Sequence, residues 1–412
     1  MHPILFEIPL PAFGLKSWLL LAVVALGGAA LALYGWRRRA RELSRAGLLV
    51  AGVAALLGWM LRGQSFAVAP IPVYSYGALL CLSLVVGWVL TLGLGESDGL
   101  ERPVLANAFV VSVFAALAGA RLLYIVTNWR EFSTLADVLA LRRGGFVAYG
   151  GFLGGFAGSW LYLRRVGLPL LRWADMVAPS LALGVLLTRL GCYLFGCDFG
   201  KPLPAWAPTW LRAVGLFPRW ADTPLGAGSP AWLRHVDERG LSPASLSSLP
   251  VHATQLYEAL VGAALFALLL RVRKVQSFAG QLFLTFTFAY GFARFCVETL
   301  RDDPERGLFG PALPAHWYVP LALIVFALAY AVGPSSSIAR SRVRQGTRVL
   351  ALLPSLLAFA LLLPRGGAPA TEIQFSTSQW ISLFTALAAA WAWTRRLTTR
   401  APAQQGVQLQ AP

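Results

Sequence analysis

Long apolar runs, separated by short polar connections, dominate the sequence from end to end. A membrane-spanning helix needs about 20 consecutive apolar residues, because its backbone polar groups must be satisfied within the segment. Runs of suitable length lie at residues 17–36, 46–62, 74–95, 104–126, 145–163, 173–191, 252–270, 278–297, 315–333, 348–364 and 379–394. The pattern predicts an all-α polytopic membrane protein with about 11 transmembrane helices.

The composition agrees with this class of protein. Hydrophobic residues make up 57% of the chain and charged residues only 13%, against roughly a quarter charged in soluble domains. The net charge of +17 would suggest nucleic acid as the partner of a soluble protein, but too little polar surface remains for a nucleic-acid groove. We therefore expect no nucleic acid as a partner. Four cysteines exclude a disulfide-built scaffold.

Basic residues predict the orientation. Arginine clusters occupy alternate connections between the apolar runs, at residues 37–45, 164–172, 271–274, 340–348 and 395–400. The positive-inside rule places such connections in the cytoplasm, so we expect the N-terminus outside and the C-terminus inside. Residues 1–10 contain Glu7 and no basic cluster, so no cleaved signal peptide is expected.

One connection, residues 197–251, is far longer than the others and falls on the outer face in this topology. Loops beyond ~15 residues without clear periodicity are usually functional or disordered. The Trp and Phe residues between Phe199 and Trp232 indicate a head loop packed on the membrane surface. Residues 397–412 are predicted to be a cytoplasmic tail, disordered from residue 401 onward.

Ionisable residues inside apolar runs are expensive, so each one is a functional hypothesis. They are Arg121, Asp175, Arg189, Glu258, Arg294, Glu298 and Arg301. Guanidinium groups suit phosphate bidentately, and phosphate at membrane depth means a phospholipid headgroup near the outer leaflet. The alternative is a set of structural ion pairs, in which Glu298 lies between Arg294 and Arg301 on one helix face.

Two glycine-rich segments flank these charges, at residues 144–155 and 191–200. Small residues let helix backbones approach closely, which accounts for glycines without any functional role. On the functional interpretation, Tyr149 faces a cavity from between its glycines, and the second segment aims backbone N–H groups at an anion.

These residues belong to motifs that resemble a known family, the bacterial prolipoprotein diacylglyceryl transferases (phosphatidylglycerol–prolipoprotein diacylglyceryl transferases). The resemblance covers residues 70–305 and 375–396, with the motifs in the family's order. Besides the start at residues 1–8, the motifs are Tyr74–Gly77, Gly119–Tyr124, Tyr149–Gly151, Arg189–Gly200, His252–Glu258, Tyr290–Arg301 and Ser376–Trp380.

The sequence departs from the family at several positions. Cys192 and Cys197 stand where the family usually has Asn and Glu, Tyr149 where many members have His, and Ala253 where Pro is usual. The runs at 17–36, 46–62, 315–333 and 348–364 look like two inserted helix pairs. The predicted organisation is an N-terminal extension at 1–69, a catalytic transmembrane core at 70–305, an inserted helix pair at 306–374 and a last core helix at 375–396.

The resemblance implies transfer of the diacylglyceryl group of phosphatidylglycerol to the lipobox cysteine thiol of a prolipoprotein. It implies a bacterial plasma (inner) membrane protein whose active site faces the periplasmic leaflet. The implied partners are phosphatidylglycerol, the prolipoprotein signal peptide and membrane lipids, with no cofactor and no metal. Catalysis is assigned to Arg189, Arg294, Tyr149 and Tyr290. Substrate binding is assigned to Arg189, Tyr76, Arg121, Gly150, Gly151, Cys192, Gly200, His252, Gln255, Glu258, Glu298 and Arg301.

Several alternatives stay open at this point. Tyr149, with an ordinary pKa of ~10, is either the general base for the thiol or a positioning group, and His252 is a rival base. Cys192 and Cys197 either form a disulfide or remain free. A lipid or small-anion transporter would use the same arginines but usually shows repeated halves. A catalytically silent lipid-binding relative is the other alternative.

Overall fold

The computed structural model describes residues 3–8, 17–37, 41–60, 71–132, 134, 138, 144–220, 228–302, 306–364 and 369–398, most of them helical. The helices are α1 (Ser17–Arg37), α2 (Arg41–Met60), α3 (Ser75–Ser97), α4 (Arg102–Thr127), α5 (Ala148–Val166), α6 (Leu170–Phe195), α7 (Thr209–Val214), α8 (Pro230–Arg239), α9 (Thr254–Lys274), α10 (Gln281–Glu298), α11 (Ala315–Val332), α12 (Ser341–Leu350), α13 (Leu353–Leu362) and α14 (Thr377–Thr398). The strands are β1 (Ile4–Ile8), β2 (Ile71–Tyr74), β3 (Leu308–Pro314) and β4 (Glu372–Ser376).

In the described part of the chain, 6 helical segments are long and apolar enough to cross a bilayer. They are Ser75–Ser97, Arg102–Thr127, Leu170–Phe195, Thr254–Lys274, Ala315–Ser337 and Ser341–Leu362. The protein is therefore a polytopic membrane protein. The run at 348–364 lies in the last of these segments, which is divided between α12 and α13. The other predicted runs coincide with α1, α2, α5, α10 and α14, and the count of eleven spans stays a prediction.

Residues Ile4–Tyr74 form one compact unit. Within it β1 and β2 pair antiparallel, with Ile4 opposite Tyr74 and Ile8 opposite Ile71. Helices α1 and α2 pack through glycine, because a Cβ at Gly47 would lie only 2.4 Å from the backbone nitrogen of Ala32. Small residues of this kind allow two apolar helices to approach closely without a hydrophobic driving force.

Residues Ser75–Pro412 and Met1–Pro3 form the second unit, in which α4 and α5 make the closest helix contact. A Cβ at Gly119 would lie 2.4 Å from the carbonyl oxygen of Gly150, and one at Gly154 would lie 2.2 Å from that of Ala115. The glycine-rich segment at 144–155 is therefore in large part a packing surface, as the non-functional interpretation of its glycines predicts.

Asp175, one of the charges inside the predicted spans, has a structural role. Its carboxylate accepts backbone N–H bonds from Gly280 at 2.5 Å and Phe283 at 3.0 Å, and a side-chain bond from Gln276 at 2.6 Å. These donors surround the start of α10, where the first backbone N–H groups lack partners inside the helix. Asp175 therefore joins α6 to the beginning of α10.

The head loop at 197–251 has an ordered core in its described residues. Phe199, Phe217, Ala231 and Val251 are buried together, and the Ser229 hydroxyl accepts the backbone N–H of Trp232 to begin α8. Other aromatic side chains point outward, since Trp206 is 84% exposed. Exposed Trp is typical of a membrane–water interface.

Strands β3 and β4 form an antiparallel ribbon. The backbone N–H of Thr377 donates to the Gly307 carbonyl at 2.9 Å, and the Thr377 hydroxyl donates to the same oxygen at 3.1 Å. The ribbon therefore brings the chain back beside residue 307 immediately before α14 begins.

Candidate active site

Two arginines and one glutamate from three helices meet inside the bundle. Arg189 lies near the end of α6, Glu258 in the second turn of α9, and Arg294 near the end of α10. The Nε of Arg189 lies 2.6 Å from Glu258 Oε2, while Nη1 of Arg294 donates to Glu258 Oε1. Glu258 has only 3% of its side chain exposed, so its ionised form depends on these two guanidinium groups.

A second carboxylate, Glu298, extends this network. Its Oε2 lies 2.6 Å from Arg294 Nη2 and 3.7 Å from Arg301 Nη1. Its Oε1 lies 3.2 Å from Nε of Arg306. The predicted pairing of Glu298 with Arg294 and Arg301 is present, so the structural interpretation of these charges holds for part of the cluster.

Asp198 is the third carboxylate. Its two oxygens lie 2.5 Å from Arg189 Nη1 and 2.6 Å from Arg301 Nη2. Burial opposes ionisation of this carboxyl, but the arginines Arg189, Arg301 and Arg294 outweigh burial and hold its pKa below 3.8. Asp198 is therefore negatively charged at neutral pH.

The backbone of Asp198 is held in an uncommon conformation. Its φ is 58°, and no other non-glycine residue in the described ranges has a positive φ. The Thr254 hydroxyl donates to the Asp198 carbonyl at 2.5 Å, and Nε2 of Gln255 donates to the Cys197 carbonyl at 2.5 Å. The start of α9 thus fixes the left-handed turn that aims the Asp198 carboxylate at the arginines.

The described ion pairs of this cluster form one continuous network. Four guanidinium groups, those of Arg189, Arg294, Arg301 and Arg306, face three carboxylates, those of Asp198, Glu258 and Glu298. Arg189 and Arg294 keep 18% and 12% of their side chains exposed. Both guanidinium groups are therefore accessible enough for an anionic group to bind beside them.

Tyr149 is connected to this cluster through a serine. Its hydroxyl lies 2.9 Å from Oγ of Ser378, which also accepts a bond from Nη2 of Arg294 at 3.4 Å. Ser378 stands in the first turn of α14, and Tyr149 in the first turn of α5. Ser378 therefore connects Tyr149 to Arg294, two predicted site residues that lie far apart in the sequence.

The other two predicted tyrosines lie near Arg189. Tyr290 is half-buried, stacks on Phe286 with ring centroids 5.5 Å apart, and lies within electrostatic range of Arg189. Tyr76 is 41% exposed and packs beside Gly191, where an added Cβ would lie 3.2 Å from Tyr76 Cα.

Arg121 is placed apart from the other arginines. It donates to the carbonyls of Val138 at 3.1 and 3.2 Å, Gly144 at 2.6 Å and Gly145 at 3.1 Å. Its guanidinium also faces the rings of Tyr124, Phe132 and Phe146. Through these contacts Arg121 holds the backbone of Gly144 and Gly145, which precede α5.

Four further predicted site residues make backbone or packing contacts. Gly150 packs against α4, and Gly151 lies beside it with ordinary clearance from Ala116 and Ala120. Gly200 forms an isolated bridge with Arg301 and leaves no space for a side chain beside His252. The Nδ1 of His252 lies 3.2 Å from the Tyr257 hydroxyl.

Cys192 and Cys197 are not bonded to each other. Their sulfurs and a carboxylate oxygen of Asp198 lie within 4.8 Å of one another, a spacing that a metal ion requires. However, Asp198 is already engaged by Arg189 and Arg301. A divalent cation at this position would face two guanidinium groups, so the set does not fit a metal ion.

Three residues of this site, Asp198, Arg306 and Ser378, are not among those predicted from the sequence. Asp198 lies inside the motif Arg189–Gly200 and Ser378 inside the motif Ser376–Trp380. Membership in these motifs is the only sequence signal that points to the two residues. Arg306 lies outside every motif and outside the apolar runs, and no sequence signal identifies it.

A polytopic membrane protein with a buried cluster of arginines and carboxylates is the class that this fold and site define. The family model of prolipoprotein diacylglyceryl transferase matches residues 64–395. The chain therefore belongs to this family of transferases.

Curated relatives agree with this assignment. The phosphatidylglycerol–prolipoprotein diacylglyceryl transferase of Clostridium tetani is 28% identical over 58% of this chain and 85% of its own length. Transferase 2 of the same name from Clostridium perfringens is 30% identical over 58% of this chain and 82% of the relative. The Mycobacteroides abscessus transferase is 28% identical over 63% and 74%.

Proposed function

We propose that this protein transfers the diacylglyceryl group of phosphatidylglycerol to the lipobox cysteine thiol of prolipoproteins. The observation that carries the proposal is the shared ion network of Arg189, Glu258 and Arg294 inside the bundle. Family membership supplies the reaction, since the curated relatives are named for these two substrates.

The reaction is a displacement at the glycerol carbon that bears the phosphate. A bond forms between the cysteine sulfur and that carbon, and the bond from the carbon to the phosphate oxygen breaks. The thiol proton goes to a base, and glycerol phosphate leaves with the bonding electron pair. Negative charge therefore grows on the departing phosphate as the thioether forms.

Arg189 and Arg294 would stabilise that growing charge. Preorganised donors in a site that excludes water are worth more than the same donors in water, because they need no reorganisation during the reaction. Glu258 fixes the spacing of the two guanidinium groups through its two oxygens, and Asp198 and Glu298 hold them from the outer sides. Tyr290 and Tyr76 would orient the substrate beside Arg189.

The thiolate is the reactive nucleophile, so the site needs a proton acceptor. Tyr149 occupies the suitable position, because Ser378 connects its hydroxyl to Arg294. His252 is the rival base. Burial first, and the charge of Lys201 second, lower its pKa below 6.5, so its imidazole is neutral at pH 7.

The finer topology is part of the same proposal. We infer eleven spans with the N-terminus outside and the C-terminus inside, in the bacterial inner membrane, with the site toward the periplasmic leaflet. The arginine clusters in alternate connections support this orientation. The prolipoprotein signal peptide and membrane lipids would then reach the site laterally. The extension at 1–69 and the inserted pair at 306–374 would be additions to a catalytic core.

Complementation of a strain depleted of its own transferase tests the function. The wild-type gene should restore lipoprotein maturation, and Arg189→Ala should abolish the rescue. Arg102→Ala is the matched control, because Arg102 pairs with Glu96 at an exposed position. A lipid transporter or a silent lipid-binding protein would not restore maturation, so failure of the expressed wild-type protein to rescue overturns the proposal.

A further inference from the structure

A cavity of about 460 Å³ lies beside the arginine cluster and shares only Arg306 with it. Its lining includes Lys201 from the head loop, Arg306 from the turn after α10, and Glu372 and Gln374 from strand β4. Leu308 and Ile373 add apolar surface from the ribbon. The cavity therefore lies where the head loop, the end of α10 and the β3–β4 ribbon come together.

Both cations of the cavity are held in place by the backbone. Lys201 Nζ donates to the Thr299 carbonyl at 2.8 Å, which uses one of the three donors of an ammonium group. Arg306 donates from Nη1 to the Arg301 carbonyl and from Nη2 to the Glu298 carbonyl, each at 2.8 Å. The positions of the two charges are thus set before any ligand arrives.

The two cations also act on each other. Burial lowers the pKa of Lys201, and the neighbouring Arg306 guanidinium lowers it further, while Asp302 acts in the opposite direction. Asp302 itself pairs with Arg239. An anion between Lys201 and Arg306 would relieve their repulsion, and phosphate oxygens accept bonds from both an ammonium and a guanidinium group.

The cavity is directly connected to the proposed site of reaction. Glu298 contacts Arg294 through Oε2 at 2.6 Å and Arg306 through Oε1 at 3.2 Å. One carboxylate therefore separates the arginine that would bind the reacting phosphate from the arginine that lines the cavity. A phosphate that left Arg294 would find the next pair of cations on the other side of Glu298.

We propose that Lys201 and Arg306 form a second phosphate site, which takes the glycerol phosphate group next to the reaction centre. This inference rests on the proposed function, whose leaving group is a small, water-soluble phosphomonoester. Glu372 and Gln374 supply acceptors for the glycerol hydroxyls. The same chemistry is available from two sources, namely the released glycerol phosphate and the intact headgroup of phosphatidylglycerol.

Lys201→Gln is the appropriate variant, because among the residues that the structure describes Lys201 forms no ion pair with the three carboxylates of the cluster, whereas Arg306 contacts Glu298. Lys201→Arg retains the charge and should behave like the wild type. Arg212→Gln is the matched control, since it removes one positive charge from the head loop at a residue that also donates to a backbone carbonyl, that of Ala205. All variants are made in the full chain, purified in detergent.

The measurements are the inhibition constant of added glycerol 1-phosphate, the KM for phosphatidylglycerol in mixed micelles, and the 31P line width of glycerol 1-phosphate on titration with protein. Loss of one charge-assisted hydrogen bond should weaken binding by about tenfold. A tenfold rise in the inhibition constant, with reduced line broadening, supports the site for the released product. A rise in KM alone supports it for the lipid headgroup.

The inference is overturned if Lys201→Gln matches Arg212→Gln in the inhibition constant, in KM and in line broadening. Failure of the proposed function is a separate outcome, because it would appear as a wild-type protein without transferase activity. The 31P titration needs no turnover, so it tests the phosphate site in either case.

Discussion

Arg189 and Arg294 share one carboxylate, with Glu258 Oε2 on Nε of the first and Glu258 Oε1 on Nη1 of the second. The two arginines come from different helices, so their separation is set by a single side chain on a third helix. Neither guanidinium can shift independently of Glu258.

Glu258→Gln tests this relationship, because it keeps the shape and removes the charge. We expect turnover to fall by about 10²-fold or more. We also expect a lower Tm, since two buried guanidinium groups lose their common counter-charge. Glu96→Gln, in an exposed pair with Arg102, is the control. Normal turnover in Glu258→Gln would show that the arginines do not depend on it.

Asp198→Asn removes the negative charge but tolerates the left-handed backbone, which Asn adopts more readily than most residues. Arg189 would lose a partner at 2.5 Å and Arg301 one at 2.6 Å. We expect kcat/KM for phosphatidylglycerol to fall by about tenfold to a hundredfold, because each of these two arginines loses one of its carboxylate partners. Asp198→Ala should fall further, since it adds backbone strain. Equal activity of wild type and Asp198→Asn would contradict this account.

The identity of the base is decided by the pH profile. A base must be deprotonated, so activity falls as pH decreases through its pKa. If Tyr149 is the base, Tyr149→Phe should sharply reduce turnover and remove the pH-dependent limb of the profile. A profile that falls only below pH 6.5, and loses this limb in His252→Gln, would instead assign the base to His252, whose pKa lies below 6.5.

The head loop should loosen in acid because of His235. This residue is fully buried, and its Nδ1 accepts the backbone N–H of Leu249 at 3.1 Å. Burial first, then Arg239 and Arg234, lower its pKa from 6.5 to about 4 despite Asp302. Between these values the unfolded segment binds more protons than the folded one, so stability decreases as pH falls below 6.5.

Hydrogen exchange of residues 228–251 at pH 7 and pH 5, corrected for intrinsic rates, measures this effect. His235→Gln should flatten the pH dependence, because the amide oxygen accepts a bond without titrating in this range. Equal protection at both pH values in the wild type would rule out the mechanism.

The thiols should all be free. Cys192 and Cys197 are unbonded, and the Cys197 pKa is raised, first by its contact with Cys192 and then by burial, so the neutral thiol is the stable form. Alkylation of the denatured, unreduced protein should therefore modify all 4 cysteines. Mass spectrometry that finds Cys192 and Cys197 unmodified and joined would establish the disulfide instead.

The sequence was informative about the candidate site at positions where a charged side chain in an apolar run costs free energy. Arg189, Glu258 and Arg294 stand in apolar runs, and Glu298 directly follows one. The cost of a charge in a membrane predicts that they meet. Arg121 obeys the same rule, and backbone carbonyls of Val138, Gly144 and Gly145 accept bonds from its guanidinium. The pattern of residues does not predict whether an arginine in an apolar run will contact the carboxylates of the cluster or backbone carbonyls.

Other contacts of the candidate site depend on backbone geometry, which the pattern of apolar and charged residues does not predict. Asp198 reaches both Arg189 and Arg301 only because its φ is positive and the start of α9 holds it there. Ser378 reaches Tyr149 only because α14 returns to α5 across most of the sequence. Both contacts join segments far apart in the chain, and local propensity does not specify such pairings.

The bonds from Thr377 to the Gly307 carbonyl have a consequence for the segment that lies between these two residues. They close the segment between residues 307 and 377 at its base, so the segment enters and leaves the core at nearly the same point. Helices can then be gained or lost within this closed loop without moving α14. Ser378 directly follows Thr377. Its position beside Arg294 therefore does not depend on the length of the segment between residues 307 and 377.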